Sequence, residues 1–138
     1  MVKNVFYLIA GLLLVVLAVT HTLFGLETAL PILHGSDIDI GTITVFTFQL
    51  HMIGAQDLLY GIAALIMAFQ KDMTKVKFVA LLLTTILIAR WGIMALVTVV
   101  YGNIGTDLLT SSIAFLVVIM LLLLGVRKKD KGEDSAYP

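Results

Sequence analysis

The chain reads as an all-α protein, an integral membrane four-helix bundle of up-down-up-down topology with both termini cytoplasmic. Its composition is the first support. Of 138 residues, 60% are hydrophobic and 13% charged, with a mean hydropathy of +1.08. A soluble domain carries roughly a quarter charged residues, so lipid must solvate most of this surface. The second support is length: four segments reach the about 20 apolar residues that a spanning helix needs. The third is the placement of the basic residues. Lys3, Lys71, Lys75, Lys77, Arg127, Lys128, Lys129 and Lys131 flank the amino terminus, the second connection and the carboxyl tail. Those regions share one side of an up-down-up-down bundle, and the basic side is the cytoplasmic one.

The first span is expected over residues 4–26. A signal peptide is set aside there, because the apolar run after Lys3 continues through Leu26 and outlasts an h-region. Residues 27–42 hold Pro31, Gly35 and Gly41 and read as an outer loop, within which "TALPILHG" can make a short interfacial turn. The second span covers 43–69 and is the longest, so it tilts or emerges at one end. Residues 70–75 make a short polar link to the third span, 76–101. "GNIGTD" reads as a tight turn, with Thr106 or Asp107 capping the fourth span, 107–126, by accepting its free amides. Short links make consecutive helices antiparallel neighbours. The tail, 127–138, reads as a solvated anchor whose basic part meets anionic lipid. Its acidic residues Asp130, Glu133 and Asp134 oppose a strong electrostatic switch.

Composition also excludes. A formal net charge of zero offers nucleic acid no basic surface. With no cysteine, thiol–disulfide chemistry, iron–sulfur clusters and thiolate zinc sites are ruled out. The halves show no internal repeat of the kind that builds inverted-repeat transporters.

Small residues mark where helices touch. Gly11, Ala18 and Gly25 recur every seven residues in the first span, with Leu14 and His21 at the alternate seam positions. Gly54 and Gly61 share a face of the second span, flanked by His51 and Asp57. Neither helix has a GxxxG pair, so left-handed packing at a shallow angle is expected.

The polar groups inside the spans raise the question of function. "FQLHMIGAQDLLYG" places Gln49, His51, Gln56 and Asp57 in the second span, and Arg90 lies within the third. At about 1.5 Å per residue, His21 is about 8 Å and His51 about 12 Å from the outer ends of their spans. Asp57, at about 21 Å, and Arg90, at about 17 Å, fall near the middle. An isolated charge there costs roughly 3 kcal/mol on the insertion scale. An ion pair of Asp57 with Arg90, with Gln49, Gln56, Thr84 or Thr85 taking the remaining bonds, removes most of that penalty. Arg fits a carboxylate at two points, which Lys does not. The pair is either a clip that sets helix register or the floor of a functional cavity walled by His21 and His51. His34, in the outer loop, reads as solvated.

Several chemistries fit such a cavity. One is binding of a small amphipathic ligand, a quinone or a lipid head group, held by Arg90 with Trp91 beside it. A partner's helix is another occupant, which would make the chain an accessory subunit. A third is a haem b or quinone redox site, with His21 and His51 as axial ligands. The fourth is a proton- or ion-coupled transporter using Asp57 and Arg90, against which stands the apolar inner half (Leu65 to Phe69, Val79 to Leu83). No catalytic residue set is identified. Ser111 and Ser112 lack a nucleophile-elbow pattern and are expected to bond the carbonyl one turn back. "DIDIG" lacks the distal glutamate of a calcium loop.

At "GLLLVVLAVTHTLFGLETAL" and "QDLLYGIAALIMAF" the chain resembles the small four-helix membrane proteins of the DoxX-like group in length, span count and a polar residue near the end of the first helix. The resemblance covers most of the chain as layout. Some members are called subunits of quinone-linked oxidoreductases, which implies a quinone-linked or accessory role. The arginine motif of glutathione-transferase-like four-span enzymes is missing. The expected ligand-binding set is therefore His21, Gln49, His51, Gln56, Asp57, Arg90 and Trp91, the expected partners are the bilayer and a ligand or membrane protein, and a homo-oligomer is compatible with so small a bundle.

Overall fold

The structure, a computed structural model, describes residues 2–101 and 106–128. Helices account for nearly all of it, and no strand occurs among the described residues. The order is α1 (Val5–Phe24), a π-helical turn (Gly25–Ala29), α2 (Leu30–His34), α3 (Ile40–Phe69), α4 (Met73–Val100) and α5 (Thr106–Arg127). In hydrocarbon a helix is the one open-chain structure that satisfies its own amides and carbonyls. Three stretches, Val5–His34, Ile40–Phe69 and Thr74–Val100, are long and apolar enough to cross a membrane. The described apolar part of α5, Ser112–Arg127, is shorter, although α5 as a whole has 22 residues. Residues 102–105 of the tight turn expected at "GNIGTD" and most of the tail lie outside the described residues, and Thr106 and Asp107 open α5.

The first helical stretch runs further than its sequence predicts. Pro31 and Gly35 mark a loop in a local reading, yet the chain stays helical to His34. The turn that precedes Pro31 is π-helical, with the Leu30 amide bonded to the Gly25 carbonyl. Proline clashes with the carbonyl four residues back in a regular α-helix. Here Pro31 falls in the first turn of α2, where its missing N–H costs nothing, after a turn wide enough to admit the ring.

α3 likewise begins at Ile40 rather than 43. Asp39 is its cap, accepting the Thr42 amide at 3.0 Å and the Thr42 hydroxyl. This is the role of the second aspartate of "DIDIG". Asp72 caps α4 in the same way, accepting the Lys75 amide at 3.2 Å and pairing with the Lys75 ammonium at 3.2 Å. The Thr42 hydroxyl and amide hold the Asp39 carboxyl below its ordinary range, and the Lys75 amide, then its ammonium, does so for Asp72. Each cap is complete at neutral pH and is lost as pH falls through these lowered values.

The chain forms two compact units. One is Gly11–Ala63, in which α1 and α3 run antiparallel with small residues facing. A Cβ on Gly61 would meet the Gly11 carbonyl oxygen and the Val15 amide nitrogen at 3.0 Å each. One on Gly54 would strike the Thr22 hydroxyl, and one on Gly25 the Leu50 side chain. Gly11, Leu14, Ala18 and Gly25 are buried, as the heptad spacing predicts, while His21 at the remaining seam position is exposed.

The other unit holds the described residues of Met1–Ala10 and Ala64–Pro138. α4 and α5 pack antiparallel in it. Its core includes Tyr7, Leu87, Val118 and Leu122. Asn4, fully buried, joins three helix ends: its Nδ2 donates to the Gly125 carbonyl at 2.9 Å, its Oδ1 accepts the Phe6 amide at 3.1 Å, and its own amide, with that of Lys3, donates to the Ala68 carbonyl. Ala68 and Gly125 lie in the last turns of α3 and α5, where carbonyls lack partners in their own helix. The Lys128 ammonium donates to the Lys3 carbonyl at 2.7 Å and completes the junction. Gly125 has no side chain because the Tyr7 ring fills that space.

Three substitutions test these contacts by thermal unfolding in mild detergent. Gly61→Leu sets a side chain against backbone atoms and is expected to cost at least 1–3 kcal/mol, about the range for overpacking. Gly92→Ala, whose Cβ meets nothing within 4 Å, is expected to be neutral or to gain up to about 1 kcal/mol of helix propensity. Asn4→Leu leaves the Gly125 carbonyl without its buried donor and is expected to cost about 1–3 kcal/mol.

Candidate functional site

The charged residues inside the apolar helices lie on contact faces. On α3, Ile43, Leu50, Gly54, Asp57, Gly61, Ala64 and Ala68 fall at alternating steps of seven, four and three and are all buried. Asp57, 4% exposed, is thus the acidic member of the glycine-bearing face. It lies about 18 Å from the Phe69 end of α3 and about 26 Å from the Ile40 end. Gly54 and Gly61, one turn to either side, leave it flanked by close-packed backbone instead of bulky side chains.

The other polar residues of that stretch do not share its face. Gln49 and His51 are exposed and Gln56 is half-buried. His51 is six residues from Asp57, and six steps of 100° turn it well away. His21 on α1 is exposed as well. The longer helices also shift both histidines inward: His21 is about 20 Å from the His34 end and His51 about 16 Å from the Ile40 end. Among the described residues, no group of three or more His, Asp or Glu is placed to hold a metal ion.

On α4 the corresponding face reads Val76, Ala80, Leu83, Leu87, Arg90 and Met94, buried at its first four positions and half-buried at the last two. Arg90 lies about 26 Å from the Met73 end and about 15 Å from the Val100 end. Its guanidinium carbon stands 5.1 Å from the centroid of the Phe115 ring on α5, within cation–π range. Beside it, the Trp91 Nε1–H donates to the Ser112 Oγ at 3.0 Å. α4 and α5 are therefore joined here by a cation on one ring and an indole on one hydroxyl. A ring face meets positive charge through its quadrupole, without supplying a counter-charge.

Phe115 and Ser112 are the residues that sequence reasoning missed in this cluster. Ser112 is expected to bond a carbonyl one turn back, and its oxygen is the acceptor of the Trp91 indole N–H. That bond depends on α5 facing α4, which a helix read alone does not reveal. Thr84 and Thr85, expected to serve the charges, bond the Ala80 and Leu81 carbonyls one turn back at 2.7 and 3.0 Å. A hydroxyl in a dry helix takes the acceptor always within reach. No signal in the sequence marks Phe115 among the seven phenylalanines; an aromatic on the α5 contact face is its one distinguishing feature.

No family model, curated protein or solved structure matches the chain.

Trp91 is the single tryptophan, so its fluorescence reports on this cluster alone. Ser112→Ala is expected to blue-shift that emission by removing the acceptor from the indole. The accompanying loss of stability should be about 1 kcal/mol, the net worth of one hydrogen bond.

Proposed function

We propose that the chain is a four-span membrane protein, with both termini cytoplasmic, that binds a small amphipathic molecule through Arg90. The observation that supports this most is the guanidinium itself. It lies in the interior of an apolar helix of spanning length, half-buried, against the Phe115 ring and next to the Trp91–Ser112 bond. Ionisable groups at such depth mark functional sites by default, because each carries a penalty of roughly 3 kcal/mol or more. A guanidinium beside aromatic rings suits a flat or chain-like molecule with an anionic or carbonyl head, such as a quinone or a fatty acid. The basic residues at Lys3, Lys71, Lys75, Lys77, Arg127 and Lys128 support the cytoplasmic orientation.

The same arithmetic applies to Asp57, the one charge inside α3. In this reading the chain acts as a binding protein or as an accessory subunit that presents the ligand to a partner.

The test is mass spectrometry of small molecules that co-purify with the full chain in native-like membrane particles. Wild type is expected to carry an amphipathic compound that Arg90→Leu lacks. The Asp57→Asn/Arg90→Gln double variant is expected to lack it too. The same small-molecule profile in wild type and the double variant would sink ligand binding and leave the charges as a clip.

A further inference from the structure

A different face of the chain bears on lipid. On α5, Leu116, Ile119, Met120, Leu123 and Leu124 line a shallow groove of about 290 Å³ that ends at Arg127. The volume is at the low end of ligand clefts, roughly 300 Å³ upward, and suits a single slender chain. The stripe lies opposite Val118, Leu122 and Gly125, which face the interior. From Leu116 to Arg127 it measures about 16 Å. That matches one leaflet of a hydrocarbon core of about 30 Å. The cation stands where the apolar stripe stops, at the depth of a phosphate.

Arg127 is not alone at that end. The Lys128 ammonium is fixed on the Lys3 carbonyl at 2.7 Å, and Lys3 itself is tied to the Ala68 carbonyl. The start of α1 and the end of α5 therefore hold Lys3, Arg127 and Lys128 together, within one compact unit. A neutral lipid offers these cations no anion, and a zwitterionic head brings its own cation against them. A second copy of the chain would bring the same cations against them.

We propose that this groove binds one anionic phospholipid, its acyl chain along α5 and its phosphate on Arg127, with Lys128 beside it. The occupant is recognised by two features at once, an apolar chain of leaflet length and a negative head.

The experiment is native mass spectrometry of the full chain released from detergent with added phosphatidylglycerol or phosphatidylcholine. Wild type should retain phosphatidylglycerol several-fold better. Arg127→Gln should lower that retention about fivefold, the weight of one cation at an anionic surface, and leave phosphatidylcholine unchanged. Met120→Trp, which fills the groove from an exposed position, should lower it with every cation in place. Lys71→Gln, an exposed cation outside the groove, should change little. Circular dichroism confirms that each variant is helical, and any that is not is replaced by Arg127→Lys with a phosphate-ester headgroup series. Equal retention of the two lipids would overturn the proposal. So would an effect of Lys71→Gln as large as that of Arg127→Gln, or no effect of Met120→Trp, since both mean attraction to the basic end at large. A dimer that Met120→Trp abolishes would assign the groove to a second copy and overturn it as well.

Discussion

The approach of α1 to α3 is the constraint on which the Gly11–Ala63 unit depends. In lipid, two helices gain little by hiding apolar side chains from each other, because the tails are as apolar as leucine. Association must come from close van der Waals contact, and that requires backbones near each other. Gly61 meets the Gly11 carbonyl and the Val15 amide without a side chain between them, and Gly54 and Gly25 admit Thr22 and Leu50. Seven-residue spacing on both helices keeps these contacts in one line, as in shallow left-handed packing. The same close face carries Asp57, so the feature that joins the helices also determines where a carboxylate is buried.

The other unit depends on a polar junction instead. Helix ends in or near hydrocarbon expose carbonyls that nothing apolar can satisfy. The amides of Lys3 and Asn4 and the Asn4 carboxamide meet this need for α3 and α5 together. Asn4 does so with both ends of its side chain, because it also receives the Phe6 amide. One buried asparagine thereby connects the beginning of the chain with Gly125, 121 positions away. The same bonds fix the Lys3 backbone, whose carbonyl in turn holds the Lys128 ammonium, so a basic end follows from a structural need.

Much of the candidate site is legible in the sequence because burying charge is expensive. Asp57 and Arg90 stand out within apolar runs without any knowledge of the fold, and both occupy contact faces at heptad spacing. The histidines are less legible. His21 and His51 look like members of the same polar set, yet both side chains are exposed, since a residue's company depends on helix rotation as well as on depth. Phe115 could not be singled out at all, nor Ser112 as the acceptor of an indole. Their roles exist only because α5 presents them to Arg90 and Trp91.

What the sequence by itself determined is the class of solvent and the class of structure. An apolar chain with 13% charge must form helices that satisfy their own backbone, and the small residues at seven-residue spacing mark their contact faces. Where the helices stop was decided by tertiary and capping detail: the π-helical turn that carries the chain past Pro31, and Asp39 starting α3 early. Which polar groups meet was decided by helix pairing, as for Trp91 with Ser112 and Asn4 with Gly125. Periodicity is a property of one helix and is written in its residues, whereas a hydrogen bond across helices needs two faces turned toward each other, which only the assembled chain supplies.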